Sequence, residues 1–202
     1  MTPAWHRNPI TGALAATLVL CVLALPVSRR LLESGMTLHM LVQFPLLAGC
    51  GFLLAGALPA SWRVAIERWN TLGISGLLAT ALVLGLLMIP RLLDLALVDP
   101  RIEIAKWLAL LACGAALRLS WRPAGWLVQG FFLGNVLPMT AVAGELYRES
   151  PIRLCNAYLL DDQVGLGQAL VWICVAVAIA WLAGLTIAMV RRDAALQATP
   201  RS

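Results

Sequence analysis

The sequence predicts an all-α fold: one polytopic membrane domain over residues 1–202, built as a bundle of about six transmembrane helices. Three observations predict it. Of the 202 residues 61% are hydrophobic, and a bilayer-spanning helix takes about 20, so about six spans absorb most of the apolar positions. Charged residues make up only 12%, about half their share in a globular chain. The apolar residues also fall into six runs separated by polar breaks. Backbone polar groups cannot stay unpaired in hydrocarbon, so runs of this length are helices. A closed barrel would alternate with period two over short strands, and no such alternation is visible. The composition excludes an ordinary soluble enzyme and leaves no room for a sizeable soluble domain.

The first run, residues 10–27, follows a short start bearing Arg7. It is longer than the 7–15-residue apolar core of a signal peptide. No small-x-small cleavage site precedes Arg29, so it reads as a retained helix. Arg29 and Arg30 close it. The second run, 36–60, stops before the stretch from Arg63 to Arg68. The third, 71–89, ends at Pro90, and the polar stretch to Pro100 leads into the fourth, 102–119. Arg122–Pro123 separates that run from the fifth, 125–145. Residues from Arg148 to Gln163 precede the sixth, 164–190.

Six helices put both termini on one side, expected to be the cytoplasmic side of the inner cell membrane. The inside then holds eight bases: Arg7, Arg63, Arg68, Arg118, Arg122, Arg191, Arg192 and Arg201. The outside holds seven: Arg29, Arg30, Arg91, Arg101, Lys106, Arg148 and Arg153. Trp5, Trp62, Trp69, Trp121 and Trp126 share the inner edge, where amphipathic rings favour the headgroup level. The formal charge of +5 does not point to nucleic acid, because the bases lie between apolar runs rather than in a patch.

Acids divide more sharply. Only Glu67 and Asp193 are inner; Glu33, Asp94, Asp99, Glu103, Glu145, Glu149, Asp161 and Asp162 are outer. Met36, Met40, Met88 and Met139 also lie towards outer helix ends. Met36, His39, Met40 and Gln43 have the spacing of one helical stripe. Thioether and imidazole together suit copper, Cu(I) above all, while methionine also fills gaps in any apolar helix. His39 makes the stripe a candidate site, since an ionisable residue inside a span is costly to place there. Asp161 or Asp162 can N-cap the sixth helix. Gln129 and Asn135 are expected to face other helices, and Gly130 with Gly134 forms a G-x-x-x-G packing pattern. Of the five cysteines, only Cys155 lies in an outer loop, and no C-x-x-C pair occurs.

Two blocks resemble a known family. The stretch His39-Met40-Leu41-Val42-Gln43-Phe44-Pro45-Leu46-Leu47-Ala48-Gly49 resembles the H-M-x-x-H signature of the CtaG family of cytochrome c oxidase assembly factors. Asp162-Gln163-Val164-Gly165-Leu166-Gly167, with Trp172, is similar to the D-Q-x-x-G opening of that family's last helix. Pro138, Met139, Gly144 and Tyr147 sit where the family has a proline-broken helix and an outer loop. The match covers these short blocks, and Gln43 replaces the second histidine. The resemblance implies an integral membrane, non-enzymatic assembly factor for a haem–copper oxidase. It implies copper as the bound metal, held by His39, Met40 and Met36, with Met139 or Cys155 as helpers. Gln43, Pro45, Asp162, Gln163, Gly167 and Trp172 become structural or partner-facing residues, and the oxidase subunits and lipid bilayer become the partners.

Two other readings stay open on the sequence. One is a non-metal structural or accessory subunit of a respiratory complex. The other is a small transporter with Gln129, Asn135 and Gln168 along its path, which calls for polar residues at midplane depth.

Overall fold

The computed structural model describes residues 9–198, with side-chain surroundings given up to residue 195. Trp5, His6, Arg7 and Arg201 lie outside the described residues. No strand occurs among the described residues. The helices are α1 (Pro9–Ala24), α2 (Pro26–Leu32), α3 (Met36–Leu38), a π-helical segment (His39–Gln43), α4 (Phe44–Ala55), α5 (Ala60–Trp69), α6 (Ile74–Leu87), α7 (Pro90–Val98), α8 (Pro100–Glu149) and α9 (Leu160–Ala198). Proline opens much of this series. Pro26, Pro90 and Pro100 each stand in a first helical turn, where the missing N–H is not needed and φ is already helical.

Among the described residues, two helices are long and apolar enough to cross a membrane: Met36–Ala55, continuous through the π segment, and Leu160–Ala195 within α9. The count rises to four if each of two bent pairs is one span, α1 with α2 (80°) and α5 with α6 (85°). Pro26 makes the first bend, inside the run expected to be one straight span over 10–27. The second run ends at Ala55, earlier than residue 60, because Gly56 to Pro59 leave the helix. The polar break after it is itself helical: α5 is amphipathic and buries none of its residues.

α8 carries both the fourth and fifth expected runs and reverses between them. Gly125 has φ 60° and ψ 179°, a backbone conformation open to glycine alone. The reversal places Trp121 and Phe132 with ring centroids 6.4 Å apart, whereas eleven residues of straight helix span about 16 Å. Both halves pack on α6. Its Gly73 end meets Ser120 and Ala124, and the carbonyl of Met88, just past its other end, receives the Tyr147 hydroxyl. Pro123 is accommodated inside the helix, so the turn falls at the glycine and not at the expected Arg122–Pro123.

The bundle therefore has two ends. The His39 end holds the larger apolar cluster, including Met36, Met40, Phe44, Leu47, Leu110 and Leu166. The Gly125 end holds a small one of Leu77, Ala124, Phe132 and Val136. α4 crosses α8 where a Cβ on Gly51 would meet the Leu111 carbonyl at 2.0 Å and one on Gly114 the Ala48 carbonyl at 1.7 Å. Only paired glycines permit that approach. The G-x-x-x-G pattern is half used: Gly130 makes room for Trp181 of α9, while nothing lies within 4 Å of a Cβ on Gly134.

Candidate functional site: a buried polar network at the His39 end

The site begins with Pro45. Proline has no N–H to offer the Leu41 carbonyl, and its ring crowds that carbonyl, so the backbone widens just upstream. The π segment His39–Gln43 is the consequence, and π turns inside helices recur at functional sites. His39, Met40 and Gln43 are buried on it, as is Met36 before it. The expected stripe does face inward; Pro45 itself is exposed.

What the stripe meets is Lys106, the only lysine in the chain, which is 3% exposed. Its Nζ lies 2.7 Å from Glu103 Oε2 and donates to His39 Nε2 at 2.8 Å and to Gln43 Oε1 at 3.1 Å. Three donors meet three acceptors. An ammonium only donates, so His39 Nε2 accepts, and Nδ1 carries the proton and donates to the Tyr158 hydroxyl at 2.6 Å. The other Glu103 oxygen accepts from Trp107 Nε1 at 2.6 Å. Arg29 lies 3.6 Å from both Glu103 and Glu33, and Glu33 lies 3.9 Å from Lys106. Two cations thus face two carboxylates. Burying one alone would cost several kcal/mol; together they neutralise one another.

The second block closes over the first. Asp162 does not cap its own helix. Its carboxylate accepts from the backbone N–H of Met36 and from the Thr37 hydroxyl at 2.6 Å, so it caps α3 from 126 residues away. Gln163 is buried, accepts from the Leu154 N–H at 2.8 Å and donates to the Tyr147 carbonyl at 3.0 Å. Gly167 faces Gly144: a Cβ on either would meet the other's carbonyl at 2.4 or 2.8 Å, which draws α8 and α9 together. Trp172 is exposed and takes no part in the network.

The connection between α8 and α9 is pinned on its inner side. Asp94 accepts from the Asn156 N–H at 2.9 Å and the Ala157 N–H at 3.3 Å. Cys155 is buried with its Sγ 3.7 Å from the Pro90 carbonyl. Burial, with the Asp94 carboxylate adding to it, pushes the Cys155 thiol from 9.0 up to about 12. Burial first, then the Glu33 carboxylate, raises Tyr158 as well, so its hydroxyl stays neutral opposite His39. All five cysteines are free thiols.

These residues do not fit a copper ion as they stand. Both ring nitrogens of His39 already have partners, and one partner is a cation, which opposes a second cation beside it. Met36 and Met40 pack into the apolar cluster. Met139 is exposed and stands against Gly85. No group of three His, Cys, Asp or Glu side chains suited to a metal occurs among the described residues.

The network also begins and ends at one end of the bundle, with Phe44, Leu47, Leu110 and Leu166 beneath it. Of the three residues placed along a transport path, only Gln129 is buried, bonded to the Trp121 carbonyl at 2.7 Å. Asn135 is exposed and donates to its own helix at Phe131; Gln168 is exposed.

Sequence reasoning missed Lys106, Glu103, Glu33 and Tyr158 as a group, having counted Lys106 among outer-face bases. The signal was present: a lone lysine inside an apolar run, with a glutamate three residues before it on the same helix face. No family model matches this chain, and neither the curated proteins nor the solved structures give a match to it.

Proposed function

We propose that the protein is a six-span membrane protein with both termini cytoplasmic, and that it assists assembly of a haem–copper oxidase by docking on it. On this reading α1, α3–α4, α6, the two halves of α8 and α9 are the spans, and the His39 end faces outward. The observation that carries the reading is the clasp between the two blocks that resemble the CtaG family: Asp162 caps the helix bearing Met36, and His39 is bonded between Lys106 and Tyr158. A network with both its ends on one side, over an apolar core, favours a rigid docking surface over a conduit. α9, only 6% buried along its most apolar window, leaves a long flank for lipid or a partner helix. No bond-making chemistry enters the proposal.

Copper stays outside it, because the His39 nitrogens are committed. A purified protein that binds Cu(I) tightly, and loses it in His39→Ala, would reinstate the metal role. The docking role is tested by deleting the gene and measuring oxidase activity and assembled oxidase in the membranes. Loss of both, restored by the wild-type gene, is expected. A deletion strain with normal, fully assembled oxidase would overturn it.

A further inference from the structure

The Gly125 end has an open groove of about 870 Å³ whose wall includes Arg63, Arg118 and Arg122, with Glu67 as the one acid. None of the three arginines is ion-paired among the described residues. Arg118 donates to the Phe52 carbonyl at 3.3 Å, one of the last carbonyls of α4 and so without a helical partner. It also stacks 4.9 Å from the Phe52 ring. Arg63 spends only its Nε, on the Leu58 carbonyl at 3.1 Å. A guanidinium carries five N–H donors, so most of this donor capacity is unspent and of one sign.

Phe52 and Arg118 also line a second groove, of about 520 Å³, between α1 and α4. Apart from Arg118 it is apolar, with Ala16, Val19, Leu46, Gly49 and Leu53 among its walls. From Leu53 back to Pro45 it runs about 12 Å along α4, most of the roughly 15 Å depth of one leaflet. α5, which carries Arg63, is amphipathic with no buried residue, and Trp62, Trp69 and Trp126 are exposed at the same end. Such helices and rings mark headgroup level.

We propose that the two grooves form one binding site for an anionic phospholipid, its phosphate held by Arg63, Arg118 and Arg122 and an acyl chain laid between α1 and α4. A basic recess alone would take any phosphate; the apolar groove opening from the same guanidinium selects a ligand that carries a hydrocarbon tail. The site rests on the membrane reading and not on the oxidase role, and its test does not involve the oxidase.

The experiment is lipid retention by the purified full-length protein in detergent, read by native mass spectrometry. Phosphatidylglycerol and phosphatidylcholine are added in equal amounts, with inorganic phosphate as a competitor in a parallel arm. Phosphatidylglycerol is expected to be retained preferentially. Arg63→Gln with Arg122→Gln, both at exposed positions, should cut that retention about tenfold or more. Gly49→Leu, placed where a Cβ meets nothing within 4 Å, should cut it as well by filling the apolar groove while leaving the arginines in place. Equal retention of the two lipids, or unchanged retention in these variants, would overturn the proposal. Displacement of the lipid by inorganic phosphate, with Gly49→Leu silent, would show a phosphate site and overturn the lipid assignment.

Discussion

At the His39 end, Lys106 and Glu103 are paired inside the protein, with Glu33 beside them and Arg29 closing the group from the surface; at the Gly125 end, three arginines face a groove that holds only Glu67. The difference follows from what surrounds each group. Lys106 and Glu103 are enclosed by helices, so each must find its countercharge within the chain, and the geometry of one fixes the other. Arg63 and Arg122 are exposed, so their compensation comes from outside the chain and does not fix their geometry. Charge placed inside organises the fold. Charge placed at the rim is left over for a ligand.

Substitutions should separate the two ends by size of effect. Lys106→Met takes the nearer, buried cation from Glu103, leaving only the half-exposed Arg29 at 3.6 Å, and takes a donor from both His39 and Gln43. It should cost about 3–5 kcal/mol, seen as a large fall in the thermal unfolding midpoint in detergent. Asp162→Ala frees the Met36 N–H and the Thr37 hydroxyl, a capping loss of about 1–2 kcal/mol. Asp161→Ala, one residue earlier and exposed, should leave the midpoint unchanged; equal effects from the two would remove Asp162 from its capping role.

The connection around Cys155 should respond to pH. Its thiol is held neutral in the folded chain, with a value raised above that of the unfolded chain. Stability from this burial is therefore complete below pH 9.0 and is lost as pH rises towards about 12. A variant keeping only Cys155 should resist maleimide at pH 8 when folded and react fully in denaturant; rapid labelling of the folded form would contradict its burial. The smallest effect belongs to the other end. Arg63→Gln with Arg122→Gln should shift stability by no more than about 0.5 kcal/mol. A large loss there would erase the contrast between the ends.

The helical fold was legible because membrane solvation forces apolar runs into helices, and because prolines and arginines mark the breaks. The reversal was misplaced by a few residues. Pro123 looked like the stronger breaker, yet only Gly125 tolerates the φ that turns the chain. α5 reads as a break in hydropathy because Arg63, Glu67 and Arg68 interrupt its apolar residues, yet the segment is an amphipathic helix. At the site, the His39 stripe could be read from spacing within one helix. Asp162 capping α3 could not, since local sequence shows a cap only for the helix it precedes. Lys106 was readable in principle and was overlooked, because a basic residue near a span end resembles a topology marker.

Glu103 and Lys106 act as one unit inside the His39 end. The direct measurement is a double-mutant cycle on unfolding stability with Glu103→Gln, Lys106→Met and the two together. Strong coupling of about 1–3 kcal/mol is expected, with the double variant more stable than Lys106→Met alone because the poorly compensated carboxylate is gone. Additive losses, with no recovery in the double variant, would contradict it.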